Sequence, residues 1–306
     1  MPLFQSHVGI NLTETKLQLV EINYKQYKFC LENIDQLVFK EPVLPDTDEK
    51  KLISILQDSF SKIIQKKTIT SNLLSFTLPN NYFQVIEIPY DEDLTKKDLS
   101  EHIRWELSVT FPNYDSNDFY IQYIEVNKSN VRPENKIIVL ALRKKIVGAI
   151  NKFCKENKFE LKYVDNAHLA SNTFIHLDKD LKKDAITLSF YIDQHYSSFA
   201  AFEGVIPFYF KVFNKNGADF FDQLHNSMIK LESFNISKER INKAILCGQT
   251  ITNEFTERIS KTINVPLVKI NPFEKLFAEE KVKSNPLYST QFNSFTAATG
   301  IAIRIV

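Results

Sequence analysis

Glycine is scarce in this sequence. Average usage of about 7% would give roughly 21 glycines in a chain of this length, whereas the 306 residues contain six. Glycine lets the backbone N–H groups of a loop approach a phosphate closely, and it adopts positive φ without steric cost. A fold that holds phosphates in glycine-rich loops is therefore disfavoured. No Walker, G-x-S-x-G or H-E-x-x-H spacing occurs either.

Cysteine is rare as well. Cys30, Cys154 and Cys247 form neither a C-x-x-C motif nor a Cys/His cluster, which favours reduced, buried thiols in a cytosolic protein. The first residues, MPLFQSHVGINL, have no basic start and no apolar run of signal-peptide length, and the longest apolar runs are strand-sized. We therefore expect a cytoplasmic protein that reaches a membrane through a partner and does not insert into it.

The sequence has no surplus of either charge. Lys and Arg number 38 and Asp and Glu 37, for a net charge of +1, so we predict no nucleic-acid partner. His168 and His176 form the nearest metal-like pair, with no acidic residue between them, and we predict no metal site. For His195, beside Asp193, a hydrogen-bonded turn histidine is favoured over a general base.

Two parts of the chain show the same pattern of three strands followed by a helix. The strands of the first part are predicted at His7–Asn11, Lys16–Ile22 and Tyr27–Val38, with a helix in Asp46–Lys67 and a further strand at Leu73–Leu78. The strands of the second part are predicted at Ile186–Ile192, Ser197–Glu203 and Val205–Phe213, with a helix at Ala218–Leu231. An offset of 182 residues (193 minus 11) places Asn11 on Asp193, which indicates duplicated halves.

The segment between these parts has a different character. It begins with a strand at Gln84–Ile88, and Thr95 with Asp98 resembles a capping box that opens a helix ended by Pro112. Two strands, Phe119–Val126 and Lys136–Leu142, flank a polar loop, Asn127–Asn135, which we expect to be solvated. A helix and a strand then complete a β-α-β-β-α-β order, which predicts a small α+β module over residues 79–164.

Duplicated halves with such an insertion describe the actin-like fold, an α/β architecture of two RNase H-like halves. The sequence resembles the PilM family of type IV pilus assembly proteins, relatives of the division protein FtsA. The resemblance runs along nearly the whole chain in six segments: VGINLTETKLQLVEI, IEIPYDEDLTKKDLSEHIRWELSVTFP, VLALRKKIVGAINKFCKENKFELKYVDNAHLASNTF, FYIDQHYSSFAAFEG, AILCGQTITNEFTERISKTINVPLVKINPF and FTAATGIAIR. It implies a first half of residues 1–78 and 165–184, an inserted subdomain of residues 79–164 and a second half of residues 185–306.

The departures from the family pattern lie in its nucleotide-binding segments. Asn11 replaces the first carboxylate, and Leu12 and Thr13 occupy the glycine turn. Gln194 and His195 stand where the second segment has glycine, and the adenosine-side turn keeps a single glycine. Because side chains obstruct backbone approach to a phosphate, we predict no catalytic residues and no cofactor. If ATP and Mg²⁺ do bind, the resemblance assigns them to Asn11, Thr13, Thr15, Lys16, Asp193 and Gly248.

The resemblance implies an adaptor that binds the cytoplasmic N-terminal peptide of a single-span inner-membrane pilus or secretion protein, with a motor ATPase as another partner. Such a peptide would lie between the first half and the inserted module. The predicted contact residues are Val8, Ile10, Ile86, Ile103 and Trp105. Trp105 lies off its helix's apolar stripe, so it is either an interface anchor or a second buried contact. The alternative function is an ATPase of the same fold whose nucleotide state switches partner binding.

Overall fold

A computed structural model describes residues 6–177, 181–214, 220–234, 236, 238–249 and 251–304. No helix in these ranges combines the length and the apolar composition that a membrane crossing needs. The first half begins with a β-meander, a helix and a parallel strand: β1 (His7–Leu12), β2 (Lys16–Lys25), β3 (Lys28–Val38), α1 (Glu49–Lys66) and β4 (Leu73–Leu78). Asp48 caps α1 by accepting hydrogen bonds from the N–H groups of Lys50 and Lys51.

A small three-stranded sheet follows, with one helix packed on it. Its elements are β5 (Phe83–Pro89), α2 (Lys96–Thr110), β6 (Phe119–Val126) and β7 (Lys136–Arg143). The strand order is β5-β7-β6, and both pairings are antiparallel. Thr95 caps α2 by accepting from the N–H of Asp98, and its hydroxyl donates to the Asp98 carboxylate at 2.6 Å. The predicted helix start is therefore confirmed. Leu99, Ile103 and Leu107 bury one face of α2 against this sheet.

The next elements return to the first half. They are α3 (Lys144–Glu156), β8 (Glu160–Asn166), α4 (Ala167–Ser171) and α5 (Thr173–His176). Strand β8 pairs in parallel with β4, and α3 shares one apolar core with α1. The predicted insertion of residues 79–164 is therefore corrected to Phe83–Arg143. The strand that we assigned to its end, β8, belongs to the sheet of the first half, and the helix, α3, packs against α1 of that half.

The second half repeats the first. Its elements are β9 (Ile186–Ile192), β10 (Tyr196–Glu203), β11 (Ile206–Asn214), α6 (Phe220–Glu232), β12 (Ile241–Gly248), α7 (Asn253–Ile263) and β13 (Leu267–Lys269). Its sheet has the order β11-β10-β9-β12-β13, which matches β3-β2-β1-β4-β8 in the first half. The duplicated pattern is therefore real. The predicted helix start at Ala218 lies outside the described residues.

The register of the two meanders corrects the predicted alignment. Leu12 pairs with Leu17 in the first half as Ile192 pairs with Ser197 in the second. In both turns the N–H of one residue donates to the carbonyl oxygen three residues later, Thr13 to Lys16 and Asp193 to Tyr196, at 2.9 Å in each case. Asp193 is therefore equivalent to Thr13, with an offset of 180 (193 minus 13) in place of 182. Tyr191 occupies the place that corresponds to Asn11.

The last elements of the chain pack on the first half. They are β14 (Phe277–Ala278), α8 (Glu280–Lys283), α9 (Pro286–Thr290) and α10 (Thr296–Ala302). Strand β14 pairs with β3 and gives the larger sheet the order β14-β3-β2-β1-β4-β8. A Cβ at Gly9 would lie 2.0 Å from the carbonyl oxygen of Ala298, and one at Gly300 2.0 Å from that of Ala170. These glycines let α10 lie directly against β1 and α4, so the predicted second half of residues 185–306 includes a segment that packs on the first.

Candidate functional site

The two meander turns face each other where the halves meet. Nε2 of His195 lies 3.6 Å from the buried carboxylate of Glu14, and Asn81 donates to the other Glu14 oxygen at 2.9 Å. Burial raises the pKa of Glu14, although His195 opposes this effect. Burial likewise lowers the pKa of Lys16, which Asp193 partly offsets. Groups from both turns therefore interact across the boundary between the halves.

Beneath the turns, amide side chains connect the halves directly. Nε2 of Gln249 donates to Oε1 of Gln18 at 2.7 Å and to the carbonyl oxygen of Ser294 at 3.1 Å. Nδ2 of Asn11 donates to the same Gln18 oxygen at 3.1 Å. The fully buried phenol of Tyr191 lies beside Asn11 and Gln249, and burial raises its pKa well above the ordinary value. Amide and phenol side chains therefore meet at the boundary between the halves, beside the predicted nucleotide residue Asn11.

Gly248 occupies a backbone position that a residue with a side chain could not adopt without strain. Its φ is +121°, and a Cβ there would lie 2.1 Å from the carbonyl oxygen of Ile192. The end of β12 passes against the end of β9 at this point, and Gln249 N–H donates to the same Ile192 oxygen at 2.7 Å. A side chain would force these strand ends apart. The close approach of two strands therefore accounts for this glycine.

A second buried network crosses between the halves. Asn166 caps α4 by accepting the N–H groups of His168 and Leu169, and its Nδ2 donates to Asn80 Oδ1 at 2.9 Å. Asn80 in turn donates to Ser198 Oγ at 2.8 Å. The His168 ring lies between Ser198, 2.7 Å from Nδ1, and Ser189, 2.9 Å from Nε2. Burial lowers the pKa of His168 to about 3, so this imidazole is neutral at physiological pH.

The structure brings most of the predicted nucleotide residues together but engages them with protein groups. Asn11 contacts Gln18, and the Thr13 hydroxyl accepts the N–H of Lys16 at 3.0 Å and donates to its carbonyl oxygen at 3.0 Å. Thr15 donates its N–H to the same hydroxyl. Asp193 accepts the N–H of Gln194 through its side chain at 2.8 Å.

Sequence reasoning missed the groups that connect the halves, among them Glu14, Gln18, Tyr191 and Gln249. Gln18 could have been found from the sequence, because it is a polar residue between Leu17 and Leu19 in a strand that is buried along most of its length. No group of three metal-binding side chains occurs within the described ranges.

An open groove lies between the inserted sheet and the first half. Residues Tyr120–Gln122 of β6 and Leu161–Asp165 of β8 line a cavity of about 310 Å³; we call it the β6–β8 groove. It continues into a cavity of about 610 Å³ that also contacts α4, α5 and the β10–β11 turn, which we call the end cavity. Gln122, Leu140 and Asp165 line both spaces. Both β6 and β8 are at the edge of their sheets.

The predicted partner residues lie elsewhere. Val8 and Ile10 are fully buried in β1, and Ile103 is 1% exposed beneath the inserted sheet, so these side chains cannot contact a partner in this conformation. Ile86 is half-buried against the core of the inserted module. Trp105 is 59% exposed and stacks on His102, outside both the groove and the end cavity. The alternative interpretation, in which Trp105 makes a second buried contact within the inserted module, does not hold, because more than half of this side chain is exposed.

Comparisons with known proteins support the fold. No family model matches the sequence, and no curated protein matches it. Among solved structures, a chain of the PilM–PilN type IV pilus biogenesis complex matches with a TM-score of 0.68 and 15% identity over 99% of each chain. A protein of unknown function with an actin-like ATPase fold from Bacteroides thetaiotaomicron matches with a TM-score of 0.51 and 12% identity, over 88% of this chain and 92% of that one. The chain therefore has the actin-like fold, and the predicted resemblance to PilM is confirmed at the level of the fold.

Proposed function

We propose that this protein is a non-catalytic, actin-like adaptor of a type IV pilus or related secretion machine. It binds the cytoplasmic segment of a single-span inner-membrane protein in the β6–β8 groove, and it is itself cytoplasmic. The observation that carries the non-catalytic part of the proposal is the direct hydrogen bond from Gln249 to Gln18 across the halves, beside Asn11, which the resemblance assigns to a nucleotide. A motor ATPase is a second proposed partner, for which we assign no surface.

The side chains at the boundary between the two halves support the non-catalytic part of the proposal. A phosphate needs several backbone N–H donors or a positively charged group directed at it. Here Lys16 is half-buried beside Asp193, and the Thr13 hydroxyl bonds within its own turn. A phosphate placed beside Asn11 would have to break hydrogen bonds that the Gln18 side-chain oxygen accepts from Asn11 and Gln249. Losing buried hydrogen bonds without replacement costs about 1–3 kcal/mol for each group.

The groove supports the adaptor part. Edge strands present unpaired backbone N–H and C=O groups, and an extended peptide can add to such an edge while its alternate side chains fill pockets. Strands β6 and β8 offer two edges on either side of one groove. The fold resemblance to a chain of the PilM–PilN type IV pilus biogenesis complex supports a protein partner from such a system.

The test is a titration of the full chain with a fluorescent peptide. The proposed partner is sought among the single-span membrane proteins encoded beside the gene for this chain, and the peptide is its cytoplasmic N-terminal segment. We expect saturable binding of equal affinity with and without ATP and Mg²⁺. Tyr120→Ala should weaken binding, because this tyrosine lines the groove. The matched control is Tyr27→Ala, which changes a tyrosine 92% exposed at the tip of the β2–β3 hairpin.

The ATPase alternative is supported by Asp193, which lies near Lys16 at the boundary between the two halves. A fluorescent ATP analogue with Mg²⁺ tests it. Micromolar binding that Asp193→Ala abolishes, or peptide binding that requires ATP, would replace the adaptor proposal with a nucleotide-switched protein. Absence of saturable binding of the analogue up to millimolar concentration would support the adaptor.

A further inference from the structure

Helix α3 and the start of β8 hold an excess of positive charge. Residues 144–162 include six lysines and two glutamates, for a net charge of +4 (6 minus 2). The whole chain has a net charge of +1, so the remaining residues carry a net charge of −3 (1 minus 4). The positive charge of this protein is therefore concentrated in one short segment.

The lysines of α3 lie on its solvent face. The buried face of this helix packs in the core of the first half and consists of Ile146, Ala149, Ile150, Phe153 and Cys154. The opposite face presents four exposed lysines, Lys144, Lys145, Lys152 and Lys155. We call these four the α3 lysine face. Lys145 and Lys152 are about two helical turns apart, and Lys155 follows about one turn later, so the charges form a row along the helix.

This arrangement of lysines does not favour the helix itself. Lys144 and Lys145 lie in the first turn, which contains no acidic residue, and Arg143 before it makes no side-chain capping hydrogen bond. Positive charges at a helix N-terminus oppose the helix macrodipole. Lys152 and Lys155 are neighbours of like charge on the same face, which is also unfavourable. A nearby anion would relieve both effects.

Acidic neighbours offset only part of this charge. Glu49 Oε1 lies 4.0 Å from Lys152 Nζ, which is a long distance for an ion pair. Asp48 lies near Lys145, but its carboxylate accepts two N–H groups at the start of α1. Glu156 is the single acidic residue in α3. The α3 lysine face therefore keeps an excess of positive charge that is open to solvent.

The α3 lysine face borders the β6–β8 groove. Val147 of α3 lines this groove together with Tyr120 and Lys162, and Lys144 Nζ lies 5.8 Å from the centre of the Tyr120 ring. Tyrosine and lysine are typical of the boundary between a membrane and water. The cytoplasmic leaflet of a membrane has a negative surface potential that attracts clusters of lysine. The face is therefore complementary in charge to such a leaflet.

We infer that the α3 lysine face is an electrostatic docking surface for the anionic phospholipid headgroups of a membrane. Between Lys145 and Lys152 the exposed position of α3 is Gly148, so the helix offers no apolar side chain there and the contact involves charge without insertion. This inference goes beyond the proposed function, because the surface contacts lipid directly and needs no protein partner. It also orients the groove toward the membrane.

Vesicle binding by the full chain tests the surface without any partner. The probe is a vesicle of phosphatidylcholine with about one third phosphatidylglycerol, compared with a vesicle of phosphatidylcholine alone in a flotation assay. We expect saturable binding to the anionic vesicles only. Binding at about 0.05 M salt should disappear at about 0.5 M salt, because salt screens exposed charges. Binding that persists at the higher salt, or equal binding to both vesicles, would overturn the inference.

A triple variant isolates the lysine face. Lys145→Gln/Lys152→Gln/Lys155→Gln should weaken binding to the anionic vesicles about a hundredfold, at about fivefold for each charge. All three positions are exposed, so we expect the variant to fold, and thermal unfolding checks this. Equal affinity of the folded variant and the parent would overturn the inference.

Two further variants separate the lysine face from the overall charge. The matched control removes three exposed lysines from other helices, Lys96→Gln/Lys261→Gln/Lys281→Gln, and should weaken binding far less. Glu156→Gln removes the acidic residue of α3 and should tighten binding about fivefold, a gain that misfolding would not produce. If the control is as weak as the lysine-face variant, overall charge governs binding and the inference is wrong.

Two other anions provide competing outcomes. Inorganic phosphate should release the chain from vesicles no more than sodium chloride of the same ionic strength. Stronger release would indicate a discrete phosphate site in place of a surface. A DNA duplex should bind more weakly than the anionic vesicles, in keeping with the near-zero net charge of the chain. Tighter binding of the duplex would make nucleic acid the ligand and overturn the inference.

The peptide titration separates this inference from the proposed function. If the membrane-protein peptide binds and the anionic vesicles do not, the docking surface is wrong and the adaptor function stands. If the vesicles bind as expected and the peptide does not, the docking surface is supported and the adaptor function fails.

Discussion

Nε2 of Gln249 donates a hydrogen bond to Oε1 of Gln18 at 2.7 Å, although the two residues lie 231 positions apart. Gln18 belongs to β2 of the first half, and Gln249 follows directly after β12 of the second. The same Gln18 oxygen also accepts from Asn11 at 3.1 Å. The amide pair therefore connects the two halves beside Asn11, one of the predicted nucleotide residues.

Replacement of Gln249 by alanine should lower the stability of the whole chain. The substitution removes the donor to Gln18 and to the carbonyl oxygen of Ser294, and we expect a loss of about 1–3 kcal/mol. Urea unfolding measures it. Gln65→Ala on the exposed face of α1 is the matched control, with an expected change within about 0.5 kcal/mol. Equal effects of the two substitutions would show that the amide bridge contributes nothing.

The sequence predicted local elements well because their signals are local. Thr95 with Asp98 marked the start of α2, and the apolar alternation of both meanders marked their strands. It did not predict that β8 pairs with β4, since Leu74 and its partner Leu161 are 87 positions apart (161 minus 74) and nothing in either strand specifies the partner. The side chains that meet at the boundary between the halves, such as Gln18 and Gln249, were missed for the same reason. Gly248 marked a special backbone position, but its cause, the contact with Ile192, is visible only in three dimensions.

Two glycines should respond in opposite directions to alanine. A Cβ at Gly148, inside α3, meets no atom within 4 Å, so Gly148→Ala should stabilise the protein by about 0.5–1 kcal/mol. At Gly300 a Cβ would lie 2.0 Å from the carbonyl oxygen of Ala170. Gly300→Ala must therefore separate α10 from α4, and we expect a loss of about 1–3 kcal/mol or more. Thermal unfolding of both variants tests the prediction, which fails if the two changes have the same sign.

Stability should fall as the pH drops below about 6.5, the ordinary pKa of histidine. Burial lowers the pKa of His7 to about 4 and that of His168 to about 3. Each histidine is therefore neutral in the folded chain but protonated in the unfolded chain between these values and 6.5. The unfolded state binds more protons there, so each histidine contributes a slope of about 1.4 kcal/mol per pH unit, with stability increasing with pH. The raised pKa values of buried Glu14 and Asp165 act in the opposite direction at lower pH.

A single variant isolates one of these contributions. His7→Gln removes the titrating group that lies 2.8 Å from the Ser75 hydroxyl, so it should reduce the slope by about 1.4 kcal/mol per pH unit just below pH 6. Urea unfolding at several pH values between 5 and 8 measures the slope. His225→Gln, at an exposed position of α6, is the matched control. An unchanged slope in His7→Gln would show that His7 is not neutral in the folded chain.

A buried ion pair fastens the inserted module to the second half. Arg132, in the β6–β7 loop, lies 2.7 Å from Glu203 at the end of β10, and the two side chains are 11% and 9% exposed. Ser129 donates to the same Glu203 oxygen at 2.8 Å, and Val131 is buried in the core of the second half. The loop that we predicted to be solvated is therefore a bridge between two parts of the molecule. The loop directly follows β6, which lines the β6–β8 groove.

Arg132→Met should release this bridge, because it leaves the Glu203 carboxylate buried without its partner. We expect a loss of about 3–5 kcal/mol, together with faster amide hydrogen exchange in β6 and β7 than in α1. The double variant Arg132→Met/Glu203→Met should be less destabilised than the single one, since no charge is left unpaired. Lys62→Met provides the control, because Lys62 and Asp58 form an exposed pair on α1 that contributes about 0.2–1 kcal/mol. If exchange in β6 and β7 stays at the parent rate, the core contact of Val131 holds the module and the ion pair does not.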